Sequence, residues 1–297
     1  MCIRDRCKAI SDCDVFVPTV TDNIDADVIA AASGRLRLIA NFGAGTDHID
    51  VSAAHKKGIP VSNTPGVLTQ DTADLAMALI LAVPRRLVEG DRLMRQGKFD
   101  GWGPTHMLGH RVKGGDLGIV GMGRIGQALA RRANAFGLNV HYHNRRRLPK
   151  AIEDAVGAHW HENLEDMLGQ VNILSLHCPA TPQTHHLINS ERLALMRHDS
   201  YIVNTARGEI IDEVALAEAL KSGKFSGAGL DVYDKNLPLD ALLDLPNVIL
   251  APHIASATHE SRREMGELVL INIRAMMDHH ACPNRVLSPG ASFQIAS

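Results

Sequence analysis

Three glycines, one arginine and one histidine carry the chemistry legible in this chain. Gly121, Gly123 and Gly126 lie in the segment DLGIVGMGRIG, residues 116–126, as G-x-G-x-x-G. The segment follows an apolar strand and opens a helix pattern. In that context the first glycine permits a tight turn and the second admits a pyrophosphate. The third allows close helix–strand packing, and the helix N-terminus offers N–H groups to the anion. The next strand ends in Tyr142-His143-Asn144-Arg145-Arg146-Arg147. An NAD site carries an acidic residue about 20 positions past the loop, bonded to the ribose 2′-hydroxyl. Asn144 occupies that region here. With no carboxylate to repel a 2′-phosphate, Arg145 and Arg146 can bind one by charge-assisted hydrogen bonds. The expected cofactor is NADPH, with NADH the weaker alternative.

Arg207 lies in YIVNTARGEIID, residues 201–212, just past a β-branched strand. An arginine there suits bidentate binding of a carboxylate. His253 lies in VILAPHIAS, residues 248–256, at the same end of another apolar strand. Its ordinary pKa near 6.5 suits proton exchange with an alcohol or carbonyl oxygen. Beside a dinucleotide loop, the pair reads as the acid and the anion clamp of a hydride-transfer site.

These residues need strands to hold them, and the pattern supplies strands. Short apolar or β-branched runs alternate with amphipathic stretches. Strands are expected at 14–20, 36–40, 59–62, 116–120, 139–143, 171–176, 201–204 and 227–231. Helices are expected at 51–57, from Thr72 toward Gln96 with Asp71 or Thr72 as cap and a kink at Pro84, after the glycine loop, and at 260–278. Residues 97–115 read as a long loop. Such alternation predicts a doubly wound parallel α/β sheet. The predicted organisation is discontinuous. Residues 1–66 and 257–297 form a smaller α/β domain, closed by the last helix, and residues 67–256 form the dinucleotide-binding domain. The opening, MCIRDR, has no apolar signal core and does not join naturally to the first strand. It reads as a foreign start on a shortened chain, with no element before Asp14.

Composition restricts the alternatives. The chain has 297 residues, 45% hydrophobic and 22% charged, with a net charge of −2. It is long enough for two domains and is no general nucleic-acid or membrane-surface binder. The longest apolar run, Leu75 to Val83, is too short to span a bilayer. Five cysteines without ligand spacing read as reduced thiols, so a cytoplasmic protein is expected. The sixteen histidines include the pairs His141/His143, His185/His186 and His279/His280. None has a cysteine or carboxylate at ligand spacing, so no metal site is expected.

The segments 41–47 (NFGAGTD), 63–66 (NTPG), GMGRIG, 204–208 (NTARG), 229–232 (GLDV) and Pro252-His253 occur in one order. In this the chain resembles the D-isomer-specific 2-hydroxyacid dehydrogenases, over about residues 14–287. Within them it most resembles the NADPH-dependent glyoxylate/hydroxypyruvate reductases. The resemblance implies a Rossmann domain with a flavodoxin-like substrate domain, and reduction of small 2-keto acids to D-2-hydroxy acids. Ala44 and Gly45 would offer N–H groups to the substrate carboxylate. Arg207 would bind carboxylate and keto oxygen, and His253 would protonate the carbonyl oxygen. Thr72, Gly121, Gly123, Arg124, Ile125, Gly126, Asn144, Arg145, Arg146, Cys178, Pro179, Thr184, Thr205, Ala206, Asp231, His253 and Ala255 would line the cofactor. A homodimer would be built by the Thr72 helix and the loop after it, with Trp102 or Met107 bordering the partner's site.

The family usually pairs the histidine with a glutamate, and Asn236 stands at that position. A neutral amide there weakens the hold on an imidazolium proton. Asp234 is a candidate substitute. Two further readings follow from Asn236: an NADP-binding regulatory module without turnover, and a dehydrogenase of another small acid such as formate.

Overall fold

The computed structural model describes residues 3–234 and 240–287. The chain divides into two units. The first comprises residues up to Leu68 together with those from Thr258, and the second comprises Thr69–Ala257.

In the first unit, α1 (Ile3–Ser11) precedes β1 (Val15–Phe16), α2 (Ala26–Ala30), β2 (Leu38–Ala40), α3 (Val51–Lys56) and β3 (Val61–Ser62). The strands form a parallel sheet in the order β1-β2-β3. α1 corrects the expectation that nothing ordered precedes Asp14. Arg4, Asp5 and Lys8 are exposed, while Ile10 is fully buried and Cys7 packs against the same core. The first strand is also shorter than the sequence suggests. Pro18 cannot donate to a ladder, and Thr19 regains only a single bridge to Phe42. Asp25 and Asp50 cap α2 and α3 through backbone N–H groups.

The second unit begins with α4 (Thr69–Ala82) and α5 (Leu87–Arg95). The expected single helix from Thr72 is thus two helices, and the first starts three residues earlier. Asp71 lies in its first turn rather than at its cap, where a carboxylate favours the positive end of the helix dipole. Pro84 ends the helix outright. The residue before a proline is pushed out of the helical region, and Arg86 then adopts a left-handed φ of 52° to start α5. α4 buries Ala73, Ala76, Met77, Leu79 and Ile80, whereas α5 buries no residue.

The strands of this unit are β4 (Asp116–Val120), β5 (Asn139–His143), β6 (Ala158–His161), β7 (Ile173–Leu176), β8 (Ser200–Asn204), β9 (Phe225–Leu230) and β10 (Val248–Leu250). Between them run α6 (Arg124–Ala135), α7 (Lys150–Val156), α8 (Leu164–Leu168), α9 (Ser190–Leu195), α10 (Glu213–Lys221) and α11 (Asp240–Leu243). All seven strands are parallel, in the order β10-β9-β8-β7-β4-β5-β6. The order reverses between β4 and β7, the switch point where ligands bind in such sheets. Two buried clusters cover the two faces, one around Ile119, Leu129 and Tyr142, the other around Leu174, Ile202 and Leu230. The last helix, α12 (His259–Met277), belongs to the first unit and packs Val269 and Met276 against β2.

Candidate functional site

Six consecutive strand ends carry most of the expected site residues of the second unit. The glycine loop leaves β4, Asn144 to Arg146 leave β5, and His177 to Pro179 leave β7. Thr205 to Arg207 leave β8, Asp231 leaves β9, and Ala251 to Ala255 leave β10. Parallel strands put all of these on one edge of the sheet.

The glycine loop has the geometry that its spacing predicts. Gly121 takes φ of 98°, and a Cβ there would meet the Cys178 nitrogen at 2.6 Å. A Cβ on Gly126 would stand 2.4 Å from the Gly121 carbonyl oxygen. A Cβ on Gly123 would meet no heavy atom within 4 Å. Gly123 caps α6 without a side-chain bond. The helix N-terminus therefore faces open space that accepts an anion. Nearby, Oγ1 of Thr205 is buried and lacks a hydrogen-bond partner among the described residues. A buried hydroxyl in that state calls for an external partner. Open space before α6 and an unmet hydroxyl at the next strand ends both fit a dinucleotide.

The three arginines after β5 separate by role. Arg147 is held by Glu153 at 2.8 and 2.9 Å and lies over the Trp160 ring. Glu153 is pushed down to about 2 by Arg147 and by the Tyr142 hydroxyl that donates to it. Arg145 and Arg146 are exposed and make no ion pair among the described residues. Asn144 has a role that its spacing did not reveal. Its Oδ1 accepts the Met122 N–H at 2.8 Å and ties the β5 end to the glycine loop.

Under that loop, burial pushes His177 down to about 4 and Cys178 up to about 11. The His177 ring is bonded to Ser175 Oγ at 2.8 Å. Because the folded pKa lies below the unfolded value near 6.5, only the unfolded chain takes up this proton at mild acidity. Stability is then whole above about pH 6.5 and declines as pH falls toward about 4. Urea unfolding across that range is expected to show a lower midpoint at each step down, and a flatter profile in His177→Gln. An equal decline in that variant would remove His177 as the cause.

Arg207 and His253 stand on loops that the backbone holds closely. Asn204 braces the turn before Arg207, accepting from Ala206 N–H at 3.0 Å and donating to the Arg207 carbonyl at 2.8 Å. Gly208 lets the chain after β9 pass against it, since a Cβ would meet the Tyr233 carbonyl carbon at 1.9 Å. His253 is exposed in its unit and takes a left-handed φ of 55°, a state uncommon outside glycine but one that histidine adopts more readily than most. The Asp231 carboxylate accepts from Ile254 and Ala255 N–H groups, each at 2.8 Å, and its carbonyl accepts from His253 N–H at 2.9 Å. Burial pushes Asp231 up, while those N–H groups and His253 pull it down. Asp231 thus fixes the histidine loop. Its expected reach toward a cofactor amide rests on the resemblance. Thr184 Oγ1 donates to the Pro179 carbonyl at 2.7 Å, closing the loop after β7. Thr72 is buried within α4. Asn236 lies outside the described residues.

In the first unit, the segment from Asn41 turns its carbonyls inward. Asn41 Nδ2 donates to the Gly43 and Gly45 carbonyls at 2.9 and 2.8 Å, and Asn63 Nδ2 donates to Ala44 at 2.7 Å. His48 is bonded to Asn41 Oδ1 at 3.0 Å and holds that amide in place. No described residue accepts from the N–H groups of Ala44 or Gly45. They are available to an anion. One grouping escaped the sequence pattern: the chain after β9 brings Asp234 beside His185 and His186.

Residues 77–255 match the D-isomer specific 2-hydroxyacid dehydrogenase, NAD binding domain. The chain is 48% identical over 282 residues to a glyoxylate reductase of Korarchaeum cryptofilum, covering 94% of this chain and 84% of that one. It is 46% identical over 284 residues to a glyoxylate reductase of Thermococcus litoralis, covering 94% and 85%. Among solved structures it resembles an NADPH-dependent glyoxylate/hydroxypyruvate reductase of Sinorhizobium meliloti, in complex with NADP and malonate. The TM-score is 0.84 at 36% identity, over 94% of this chain and 85% of that one.

Proposed function

The chain belongs to the D-isomer-specific 2-hydroxyacid dehydrogenase family, and from that premise we propose that it reduces glyoxylate and hydroxypyruvate with NADPH. Membership makes it an oxidoreductase of the nicotinamide-dependent kind, acting on small keto acids of the glyoxylate type. The finer reading rests on the strand-end row, and above all on Arg145 and Arg146. Both project from the β5 end with no ion pair among the described residues, while the third arginine is committed to Glu153. Two uncommitted guanidinium groups where an acidic residue would select NADH favour a 2′-phosphate. The relative named as NADPH-dependent was solved with NADP bound.

The α6 N-terminus, Thr205, Arg145 and Arg146 would hold the cofactor, whose nicotinamide supplies the hydride when bound. The N–H groups of Ala44 and Gly45 would bind the substrate carboxylate. Arg207 would bind the carboxylate and polarise the keto oxygen, and His253 would give that oxygen its proton. A homodimer is part of the reading. α5 buries no residue, and Leu87 and Met94 on it and Trp102 and Leu108 on the loop after it are exposed. A cavity of about 560 Å³, lined in part by Leu87, Leu108 and Ile249, adjoins this area. Exposed apolar side chains on one helix and the loop after it are what a second copy of the chain would cover.

The test is loss of nicotinamide absorbance with glyoxylate or hydroxypyruvate, comparing NADPH and NADH. The preference for NADPH is expected to fall about 10–100-fold in Arg145→Ala, and similarly in Arg146→Ala, as charge-assisted hydrogen bonds are lost. Equal use of both cofactors by the unaltered chain would refute the NADPH assignment. Tight NADPH binding without turnover would favour the regulatory module that Asn236 suggests.

A further inference from the structure

Adjacent residues on an extended chain point to opposite sides. His185 and His186 do not, because His186 takes a left-handed φ of 46°. Their rings stack, with centroids 4.1 Å apart and 23° between planes. The chain leaving β9 then delivers a carboxylate to them. One ligand atom from each of His185, His186 and Asp234 lies within 4.8 Å of the other two. His185 is exposed, so the cluster opens to solvent, while Asp234 is buried.

Two atoms here have unmet capacity. Nε2 of His186 is buried and has no hydrogen-bond partner among the described residues. The same holds for Oε2 of Glu213, a buried residue whose other oxygen accepts the Asp234 N–H at 2.8 Å. Glu213 therefore anchors the backbone that carries the carboxylate, as outer residues anchor metal ligands.

We propose that His185, His186 and Asp234 bind a divalent transition-metal ion of the zinc type. Two imidazoles and one carboxylate are a donor set for zinc, and an unsuitable one for magnesium or calcium, which take oxygen ligands. Bonds of about 2.0–2.2 Å around zinc require ligand atoms closer than those of the unbound cluster, a change that side-chain rotation provides. Water would complete the coordination. The ion would tie the loop after β7 to the chain after β9, directly before the segment that contains Asn236. This inference does not depend on the substrate or cofactor assignment, because binding can be read without turnover.

The experiment uses the full chain, stripped with a chelator and titrated calorimetrically with zinc chloride. Cobalt(II) absorbance serves as an independent probe of the ligands. One ion per chain is expected, with a rise in melting temperature. His185→Ala, His186→Gln and Asp234→Asn should each weaken binding by about tenfold or more. Of these, His185→Ala alters an exposed side chain and should fold as the parent does. The double variant His279→Ala/His280→Ala, which removes an adjacent pair of exposed histidines elsewhere, should bind as the parent does. Zinc affinity unchanged by His185→Ala, or no binding below millimolar zinc, would overturn the site and leave only an imidazole–carboxylate contact.

Discussion

His253→Asn is expected to lower kcat for keto-acid reduction by about 10²–10⁴-fold, the range of a lost general acid. NADPH affinity should change far less than kcat, because the asparagine removes one ring at the cofactor's edge and leaves the glycine loop and the β5 arginines untouched. The backbone supports this separation. His253 is held through its own N–H to the Asp231 carbonyl, and the next two N–H groups are held by the Asp231 carboxylate. Asparagine also tolerates a left-handed φ better than most residues, so the loop keeps its path when the ring is removed. A companion variant tests the partner of the acid. Asn236→Glu places a carboxylate where the family usually has one, and a neighbouring carboxylate holds an imidazolium proton to higher pH. The parent should lose activity at lower pH than Asn236→Glu does, with the difference largest on the alkaline side. Coincident profiles in the two proteins would mean that residue 236 does not act on His253.

What could be read from the residues was whatever a short window encodes. The glycine loop is such a case. Gly121 and Gly126 are forced by contacts with backbone a few residues or one strand away, and their spacing announces them. The strand ends bearing Arg207 and His253 were legible because β8 and β10 are apolar runs. β6 was not, because it reads Ala-His-Trp-His. It is the edge of the sheet, and its histidines pair across to β5, where His141 Nδ1 meets His161 Nε2 at 2.9 Å. Polar pairing of that kind leaves no apolar signature. α1 was hidden for a related reason. Its helical face consists of Cys7 and Ile10, too few positions to establish a period in a charged segment. Asn144 stands at the end of an evident strand, but nothing local shows that its amide oxygen reaches back to Met122. Asp234 is the plainest case of long-range information. It meets His185 and His186 only because β7 and β9 flank β8 in one parallel sheet, and Gly208 leaves room for the chain between them.

Arg207→Gln is expected to lower kcat/KM for glyoxylate by about 10³-fold or more. A guanidinium that binds both carboxylate and keto oxygen makes two charge-assisted hydrogen bonds, each worth about 1.5–3 kcal/mol. One of them strengthens as charge develops on the oxygen, so kcat falls as well as affinity. Arg207→Lys should recover only part of the loss, because an ammonium keeps the charge but cannot present the planar fork. The turn itself should survive either change. It is braced by Asn204, which bonds the Ala206 N–H and the Arg207 carbonyl and stays in place when the bond from Arg207 Nη1 to the Ala206 carbonyl is lost. Unaltered melting temperature with the stated kinetic loss is therefore the expected pair of results. A rise in KM alone, with kcat intact, would show that Arg207 binds the ground state and transition state equally and takes no part in polarising the carbonyl. In that case the charge on the keto oxygen would have to be met by His253 and by the N–H groups of Ala44 and Gly45. The His253→Asn loss would then exceed that of Arg207→Gln, so the order of the two losses decides which residue bears the developing charge.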